Sequence, residues 1–229
     1  MTKNIGIVAS SSEGASLCYR TICLEASAYM GEHNHPEITM SSVPLAEHLK
    51  FIKDDDWIGL AKSMAYAANK LADAGADFVI CPDNTNHLAF HHLSQFTDMP
   101  FIHIAEAVIL EASQKKYNNV GLLGTKFLME GMVYQEYIER YDLIGTIPDE
   151  KDRETINKII FEELVKGIIL EESKLFLIEI INKLKDKKCD AVILGCTELP
   201  LIIDSESSPL PTLDSTRLLA RAALKQAII

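Results

Sequence analysis

The feature that most constrains the fold of this 229-residue chain is an internal repeat. The segment NIGIVAS (residues 4–10) matches NVGLLGT (residues 119–125) without a gap. DFVICPDN (residues 77–84) matches DAVILGCT (residues 190–197), also without a gap and at almost the same offset. A single match between two apolar strands carries little information, but two matches in the same order indicate a duplication. We therefore expect two similar halves.

Short apolar runs alternate with longer stretches of helical periodicity along the chain. This alternation predicts an α/β fold of two pseudo-symmetric lobes, each a parallel sheet flanked by helices. Strands are predicted at residues 5–9, 38–43, 78–81, 101–104, 120–124, 191–195 and 212–213. Helices are predicted at about 14–30, 57–74, 87–95, 105–116, 127–140, 151–166, 171–187 and 215–227. The first lobe is predicted to comprise residues 1–97 and 212–229, and the second lobe residues 98–211.

Composition narrows the cellular setting and the classes of partner. The formal net charge is −11, so the chain lacks a broad basic surface for a phosphate backbone, and we expect no nucleic-acid partner. No apolar stretch approaches the roughly 20 residues that span a bilayer, and the first ten residues do not resemble a signal-peptide core. The five cysteines include no CxxC spacing, which favours free thiols in a reducing compartment. These features predict a cytoplasmic protein without a membrane partner.

The repeat also predicts where a functional site lies. Ligands of open α/β sheets bind outside the carboxyl ends of the strands. The repeat places Asp83 and Cys196 at equivalent strand ends, and we expect them to face each other across the cleft between the lobes. Such a pair suits two-sided proton transfer, in which a base removes a proton from one face of a carbon and an acid returns it to the other. A thiol, with a pKa of about 8.5 in solution, and a carboxyl group whose pKa is raised by burial are both suited to this chemistry.

Several motifs resemble the aspartate/glutamate racemase family, whose members carry a cysteine in each lobe. The similar segments are IGIVASSSEGASLCYR, CPDNTNH, LLGTKFLMEG, INKIIFEEL and LGCTELPLII. The resemblance implies a cofactor-independent amino-acid racemase that does not use pyridoxal phosphate, acts on an amino-acid or carboxylate substrate and forms a homodimer. It also implies that Cys196 is the second catalytic cysteine of the family.

The chain departs from the family pattern in its first half. Asp83-Asn84-Thr85 stands where the family usually has Cys-Asn-Thr, and Ala9-Ser10 stands where Gly-Gly is common. Cys81 does not replace the missing cysteine, because a position two residues back lies about 6–7 Å short of the strand end.

Three consequences of the Asp83 replacement stay open at this point. Asp83 acts as acid or base opposite Cys196 in a racemase with unequal halves, or the chain performs one-sided proton chemistry as a decarboxylase or isomerase of the same superfamily. The third alternative is a catalytically inactive relative that binds a small molecule. A substrate with two carboxylates is mildly disfavoured, because an ionised Asp83 repels it.

Short polar residues beside these strand ends are candidate ligands for substrate carboxylates. Asn84, Thr85, Thr125 and Thr197 occupy positions where helix amino termini and small polar side chains form anion sites, and Ser10 has a similar place after the first strand. The alternative for each is helix capping, for which Asn, Ser and Thr are favoured residues.

Lys166 is a further candidate, because some aspartate-specific members of the family carry a substrate-binding lysine at this place. The alternative is a solvent-exposed helix face on which Lys166 pairs with Glu162 or Glu163.

No cofactor and no metal is predicted. The chain lacks the GxGxxG and GxxxxGK[ST] motifs of dinucleotide and nucleoside-triphosphate sites. His87 and His91 have the i, i+4 spacing of two metal ligands, but no third ligand accompanies them.

Overall fold

The computed structural model describes residues 2–229. The chain divides into two compact units, the first formed by residues up to Ala107 together with Thr216–Ile229 and the second by Val108–Ser215. These limits differ from the predicted division at residues 97 and 212. The strand at 101–102 pairs with the strand at 78–80 in the first unit, and the strand at 212–214 pairs with the strand at 191–194 in the second.

Eight strands form the two sheets. They are β1 (Ile5–Ala9), β2 (Ile38–Ser42), β3 (Phe78–Ile80), β4 (Phe101–Ile102), β5 (Asn119–Leu123), β6 (Ile144–Thr146), β7 (Ala191–Leu194) and β8 (Thr212–Asp214). The first unit holds a sheet of order β2-β1-β3-β4, and the second a sheet of order β6-β5-β7-β8. All pairings are parallel. The predicted α/β fold with two parallel sheets is confirmed.

Helices connect the strands. They are α1 (Ser12–Glu25), α2 (Ser27–Met30), α3 (Leu45–Lys53), α4 (Trp57–Asp73), α5 (Phe90–Leu93), α6 (Ile104–Gln114), α7 (Lys126–Glu130), α8 (Gln135–Arg140), α9 (Glu150–Lys158), α10 (Glu171–Asp186) and α11 (Ser215–Ile228). Short 3₁₀ turns span Asn84–Ala89, Leu164–Lys166 and Leu199–Leu201, and one π-helical turn spans Ile159–Glu163. None of the helices between residues 2 and 229 has both the length and the apolar character needed to cross a membrane.

The core of the first unit forms around β1. All five residues of this strand are buried, as expected for a central strand of a parallel sheet that is covered on both faces. Ile5 and Ile7 belong to a buried cluster that also contains Cys18 and Ile22 of α1. The cluster extends to Leu219, so the carboxyl-terminal helix α11 completes the first unit rather than the second.

The repeat has a structural counterpart at the start of each sheet. Asp77 accepts a hydrogen bond from the backbone N–H of Asn4 at 2.7 Å, just before β1. Its repeat partner Asp190 accepts from the backbone N–H groups of Asn118 and Asn119 at 2.7 and 3.0 Å, at the start of β5. The two aspartates therefore join equivalent strands in the same way.

Most predicted strands and helices are present, but local details differ. β6 was not predicted, because it has three residues, contains a glycine and lies at the sheet edge with Ile144 exposed. The helix α3 was also missed. The predicted helix at 151–166 ends as an α-helix at Lys158 and continues through π and 3₁₀ turns, while the predicted helix at 127–140 is two helices, α7 and α8.

Candidate active site

The carboxyl ends of β1 and β3 bring Asp83 close to the start of α1. The backbone N–H of Ser11 points to Asp83 Oδ2 at 3.4 Å. The Ser11 hydroxyl accepts from the backbone N–H of Gly14 at 3.3 Å and so caps α1. The amino-terminal end of a helix stabilises nearby negative charge, and the half-buried Asp83 carboxylate lies in that environment.

Asn86 connects the turn after β3 to the loop after β1. Its buried side-chain amide lies 3.2 Å from the Ser10 hydroxyl, 3.1 Å from His48 Nδ1 and 3.7 Å from Cys81 Sγ. This network brings Ser10 to the 3₁₀ turn that follows Asp83. The structure thus places Ser10 and Asp83 in one cluster, through residues that the sequence did not single out.

His48 is a buried member of this cluster. Its Nδ1 accepts from the Asn86 amide, so its Nε2 carries the hydrogen and donates to the Ser63 hydroxyl at 3.2 Å. Burial lowers the pKa of His48 to about 4, which keeps the ring neutral at physiological pH. Its position on α3 explains why sequence reasoning missed it, since that helix was not predicted.

Cys81 lies beneath the cluster as a protonated thiol. The side chain is fully buried, and burial raises its pKa to about 12, with a further contribution from the negative charge of Asp83. A thiol in such surroundings does not supply the thiolate that proton abstraction requires. Asn84, which follows Asp83, is buried at the start of the 3₁₀ turn, and Thr85 is half-buried.

In the second unit, the carboxyl ends of β5 and β7 approach closely at two glycines. The backbone N–H of Gly195 donates to the carbonyl of Leu123 at 2.7 Å. A Cβ on Gly195 would lie 2.9 Å from that same carbonyl oxygen, and a Cβ on Gly124 would lie 3.1 Å from the carbonyl oxygen of Gly195. The absence of side chains at both positions allows the strand ends to meet directly before Cys196.

Cys196 is paired with a carboxylate that the sequence analysis did not select. Its Sγ lies 2.9 Å from Glu198 Oε2, and the side chains of Cys196, Thr197 and Glu198 are all buried. The thiol donates to the carboxylate, so Glu198 is positioned to take the proton that leaves Cys196 when a thiolate forms. The sequence feature that could have indicated this pair is the carboxylate of Glu198, two residues after Cys196.

Thr125 serves as the amino-terminal cap of α7. Its hydroxyl accepts from the backbone N–H of Leu128 at 3.2 Å. The backbone N–H of Lys126 donates to Asn157 Oδ1 at 2.9 Å, which ties the start of α7 to α9. Thr125 therefore makes the helix-capping contact that was the alternative to a role in substrate binding.

Lys166 is exposed at the end of the 3₁₀ turn that follows the π-helical turn. The predicted ion pairs with Glu162 or Glu163 are not formed, and Lys166 makes no ion pair with any residue between 2 and 229. Glu163 instead accepts from the Ser173 hydroxyl at 2.6 Å. The π-helical turn changes the residue spacing on which an i, i+4 pair depends, and such turns are frequent at functional sites.

Family comparison agrees with this architecture. The model of the Asp/Glu/Hydantoin racemase family matches residues 5–223. The chain belongs to this family. The match includes both sheets, the ends of β3 and β7 with Asp83 and Cys196, and the greater part of α11.

Individual relatives from this family match most or all of the chain. A broad-specificity amino-acid racemase, RacX of Bacillus subtilis, is 24% identical over 198 residues, which are 83% of this chain and 82% of RacX. A Yersinia pestis protein assigned to the Asp/Glu racemases has a structure with a TM-score of 0.90 and 31% identity, covering 99% of this chain and 100% of the other. An aspartate racemase homologue from Pyrococcus horikoshii has a TM-score of 0.84 and 29% identity, with coverage of 99% and 100%.

Within this racemase fold, the predicted site residues fall into two groups. Ser10, Asp83, Asn84 and Thr85 follow β1 and β3 in the first unit, and Thr125, Lys166, Cys196 and Thr197 belong to the second. The structure connects Ser10 with the Asp83 turn and sets Thr125 and Cys196 at neighbouring strand ends, whereas Lys166 lies on a separate turn. Among residues 2–229, no three His, Cys, Asp or Glu side chains are grouped as a metal site would require.

Proposed function

We propose that this chain is a cofactor-independent amino-acid racemase of the aspartate/glutamate type, with Cys196 and Asp83 as its two acid–base groups. The family assignment supports racemase chemistry. The observation that carries the assignment of roles is the buried Cys196–Glu198 pair at the end of β7, since it joins a thiol to a ready proton acceptor. Asp83 holds the repeat-equivalent position at the end of β3.

In the proposed reaction, the Cys196 thiolate removes the α-proton from one face of the amino acid. The electron pair of the broken C–H bond stays on the substrate and is shared with its carboxylate group. In the form of the enzyme that carries the Cys196 thiolate, Asp83 has taken up a proton from solvent, and it donates this proton to the opposite face, which gives the other enantiomer. The reverse reaction uses the same two groups with their roles exchanged, and bond making and breaking balance in each direction.

Glu198 restores the protonation state of Cys196 between turnovers. The 2.9 Å contact allows the thiol to pass its proton to the carboxylate and to take it back without a rearrangement of either side chain. Asp83 has no carboxylate of this kind two residues later, because Thr85 occupies that position. The two acid–base groups are therefore unequal, and we expect the two directions of racemisation to differ in pH dependence.

We further propose that the substrate carboxylate groups bind at the short polar residues beside the acid–base groups and at the exposed Lys166. Asn84, Thr85 and Thr197 adjoin Asp83 and Cys196 in sequence, and Ser10 is hydrogen-bonded to Asn86 of the same turn. Lys166 supplies positive charge that no ion pair among the described residues neutralises. Thr125 contributes through the start of α7, which it caps.

One-sided proton transfer is the second candidate function. The difference between the Cys196–Glu198 pair and the Asp83–Ser11 contact favours it, because a decarboxylase or isomerase needs one effective acid–base group. Such an enzyme gives a single stereochemical outcome, whereas a racemase converts either enantiomer to the same mixture. An inactive binding relative gives neither result.

The test is deuterium exchange at the α-carbon in heavy water over a panel of D- and L-amino acids. The panel extends beyond aspartate and glutamate, because the relative RacX is named for broad specificity. We expect exchange with racemisation of at least one substrate, and the activity should withstand dialysis against hydroxylamine, which removes pyridoxal phosphate. Exchange or decarboxylation with a single stereochemical outcome would select the one-sided enzyme, and absence of both exchange and decarboxylation throughout the panel would refute both enzymatic proposals.

The quaternary state and the cellular location are part of the same proposal. We propose a homodimer that acts in the cytoplasm, since the family resemblance supports the first and the five free cysteines support the second. Light scattering coupled to size-exclusion chromatography should give a mass of twice 25.5 kDa. A monomer mass would contradict the dimer.

A further inference from the structure

A buried histidine holds the turn that carries Asp83. His87 lies in the 3₁₀ turn after β3 and is 2% exposed. Its Nδ1 is 3.1 Å from the backbone carbonyl oxygen of Asp83, and its Nε2 is 3.2 Å from the backbone nitrogen of Ile104, the first residue of α6. The ring therefore bridges the residue at the end of β3 and the helix that follows β4.

These two contacts define the tautomer of the ring. A backbone N–H can only donate, so Nε2 of His87 must accept from Ile104 and must lack a hydrogen. A neutral imidazole then carries its hydrogen on Nδ1, which donates to the carbonyl of Asp83. Both ring nitrogens are used in one orientation, and the opposite tautomer would lose both hydrogen bonds.

The surroundings of the ring maintain this neutral form. His87 stacks on Phe90 with the ring centroids 4.0 Å apart, and the edge of His103 packs against it at 4.6 Å. Burial, together with the neighbouring His103, lowers the pKa of His87 well below its usual value. The stacking leaves the ring little freedom to rotate.

We propose that His87 is a positioning residue for the acid–base group at Asp83. The Asp83 carbonyl accepts from both the His87 ring and the backbone N–H of Asn86, the latter at 3.2 Å. These two bonds orient the peptide unit from which the Asp83 side chain projects, and the bond to Ile104 anchors that unit to α6. The inference rests on the proposed role of Asp83 and extends it to a residue four positions later in the chain.

Two substitutions separate the bond to Asp83 from the bond to Ile104. The amide nitrogen of His87→Asn occupies a place close to Nδ1, so it still donates to Asp83 but gives Ile104 no acceptor. The amide oxygen of His87→Gln reaches the place of Nε2, so it accepts from Ile104 but gives Asp83 no donor. Each variant loses one hydrogen bond, and both are expected to lose similar thermal stability.

The activities of these variants test the proposal. We expect kcat for α-proton exchange to fall about 10- to 100-fold in His87→Gln with little change in KM, because the acid–base group is misplaced while substrate contacts remain. His87→Asn should retain most of the wild-type kcat. If the two variants lose activity equally, or if His87→Gln is the more active, the positioning role is refuted.

A spectroscopic measurement keeps this inference separate from the proposed function. Long-range ¹⁵N–¹H correlation spectra of the wild-type protein should show His87 as the neutral Nδ1–H form, and an Nε2–H or doubly protonated ring would overturn the hydrogen-bond assignment. If the tautomer is as expected but Asp83→Asn leaves exchange unchanged, the role of Asp83 is wrong and the positioning role falls with it. If Asp83→Asn abolishes exchange while His87→Gln does not alter kcat, only the role of His87 is wrong.

Discussion

Cys196 Sγ and Glu198 Oε2 lie 2.9 Å apart, and both side chains are buried. The contact follows from the turn after β7, where Gly195 is drawn against the carbonyl of Leu123 and the chain leaves the strand direction. In an extended strand, residues two apart point to the same side but lie about 6–7 Å from each other. The turn brings these two side chains into hydrogen-bond contact.

Substitution of Glu198 tests whether this contact moves protons. Glu198→Gln still accepts a hydrogen bond from the thiol but cannot take its proton at neutral pH. We expect kcat at pH 7 to fall about 10- to 100-fold, within the range for loss of one acid–base group, and to recover partly near pH 9 as thiols ionise without help. The measurement is the pH dependence of exchange, with the exposed Glu172→Gln as the control. A fall in kcat that is the same at every pH would contradict proton transfer to Glu198.

The chain offers a matched control for the proposed catalytic role of Cys196. Cys189 precedes β7 and Cys196 follows it, and both thiols are buried. We expect Cys196→Ser to lower kcat about 10²- to 10⁴-fold, because a hydroxyl ionises much less readily than a thiol. Cys189→Ser should leave kcat unchanged. Equal losses in both variants, measured together with their thermal unfolding, would assign the effect to packing.

Asp83 is tested in two directions. Asp83→Asn should abolish racemisation, since an amide neither accepts nor releases the proton, while Asp83→Cys should keep or raise it by restoring a thiol to the repeat-equivalent position. Chiral chromatography of each enantiomer measures the outcome. Asp77→Asn is the control: it weakens the bond to Asn4 and costs stability, with kcat unchanged. Full racemase activity in Asp83→Asn would show that another group serves this face.

His48 makes the free energy of unfolding depend on pH in the acid range. Its pKa is about 4 in the folded protein and about 6.5 in an unfolded chain, so the unfolded state binds more protons between these values. The contribution of neutral His48 to the free energy of unfolding is therefore fully present above about pH 6.5. It is lost as pH falls toward 4, by about 1.4 kcal/mol for each pH unit between the two values.

We expect His48→Asn, whose amide oxygen still accepts from Asn86, to be less stable than the wild type at pH 7 and to lose less stability between pH 7 and pH 5. Urea unfolding at both pH values gives the comparison. His87 and the carboxylates also respond to acid, but they are present in both proteins and cancel in the difference. An identical loss of stability in the two proteins would refute the contribution of His48.

Two glycines of the second unit should differ in their tolerance of alanine. Gly195→Ala sets a Cβ 2.9 Å from the Leu123 carbonyl oxygen and should cost about 1–3 kcal/mol, with a fall in kcat as Cys196 is displaced. Gly167→Ala meets nothing within 4 Å, and its positive φ of 73° should cost about 1 kcal/mol without an effect on Cys196. Denaturant unfolding and exchange rates measure both. If the two variants changed both stability and kcat by the same amounts, the close approach of β5 and β7 at Gly195 would be contradicted.

Local sequence was sufficient for the elements whose cores are continuous apolar runs. β1 was predicted with its observed bounds, because a strand buried on both faces has no polar positions to obscure it. β6 was missed, since a three-residue edge strand with exposed Ile144 gives no periodic signal. The helix α3 was missed as well. The helix at 151–166 was predicted without its π-helical turn, and the expected ion pair of Lys166 was lost for that reason.

The duplicated α/β plan and the positions of Asp83 and Cys196 at equivalent strand ends could be predicted from the order of residues. Both follow from patterns along the chain, namely the two repeated segments in the same order, the alternation of apolar and helical segments, and the polar residues that end each strand. The hydrogen-bond partners of these residues became known from the folded chain: Glu198 for Cys196, Ser11 for Asp83, and His87 for the Asp83 carbonyl. The physical reason is that a hydrogen bond depends on tenths of an ångström, and those distances are set by how turns and distant segments pack rather than by the order of residues.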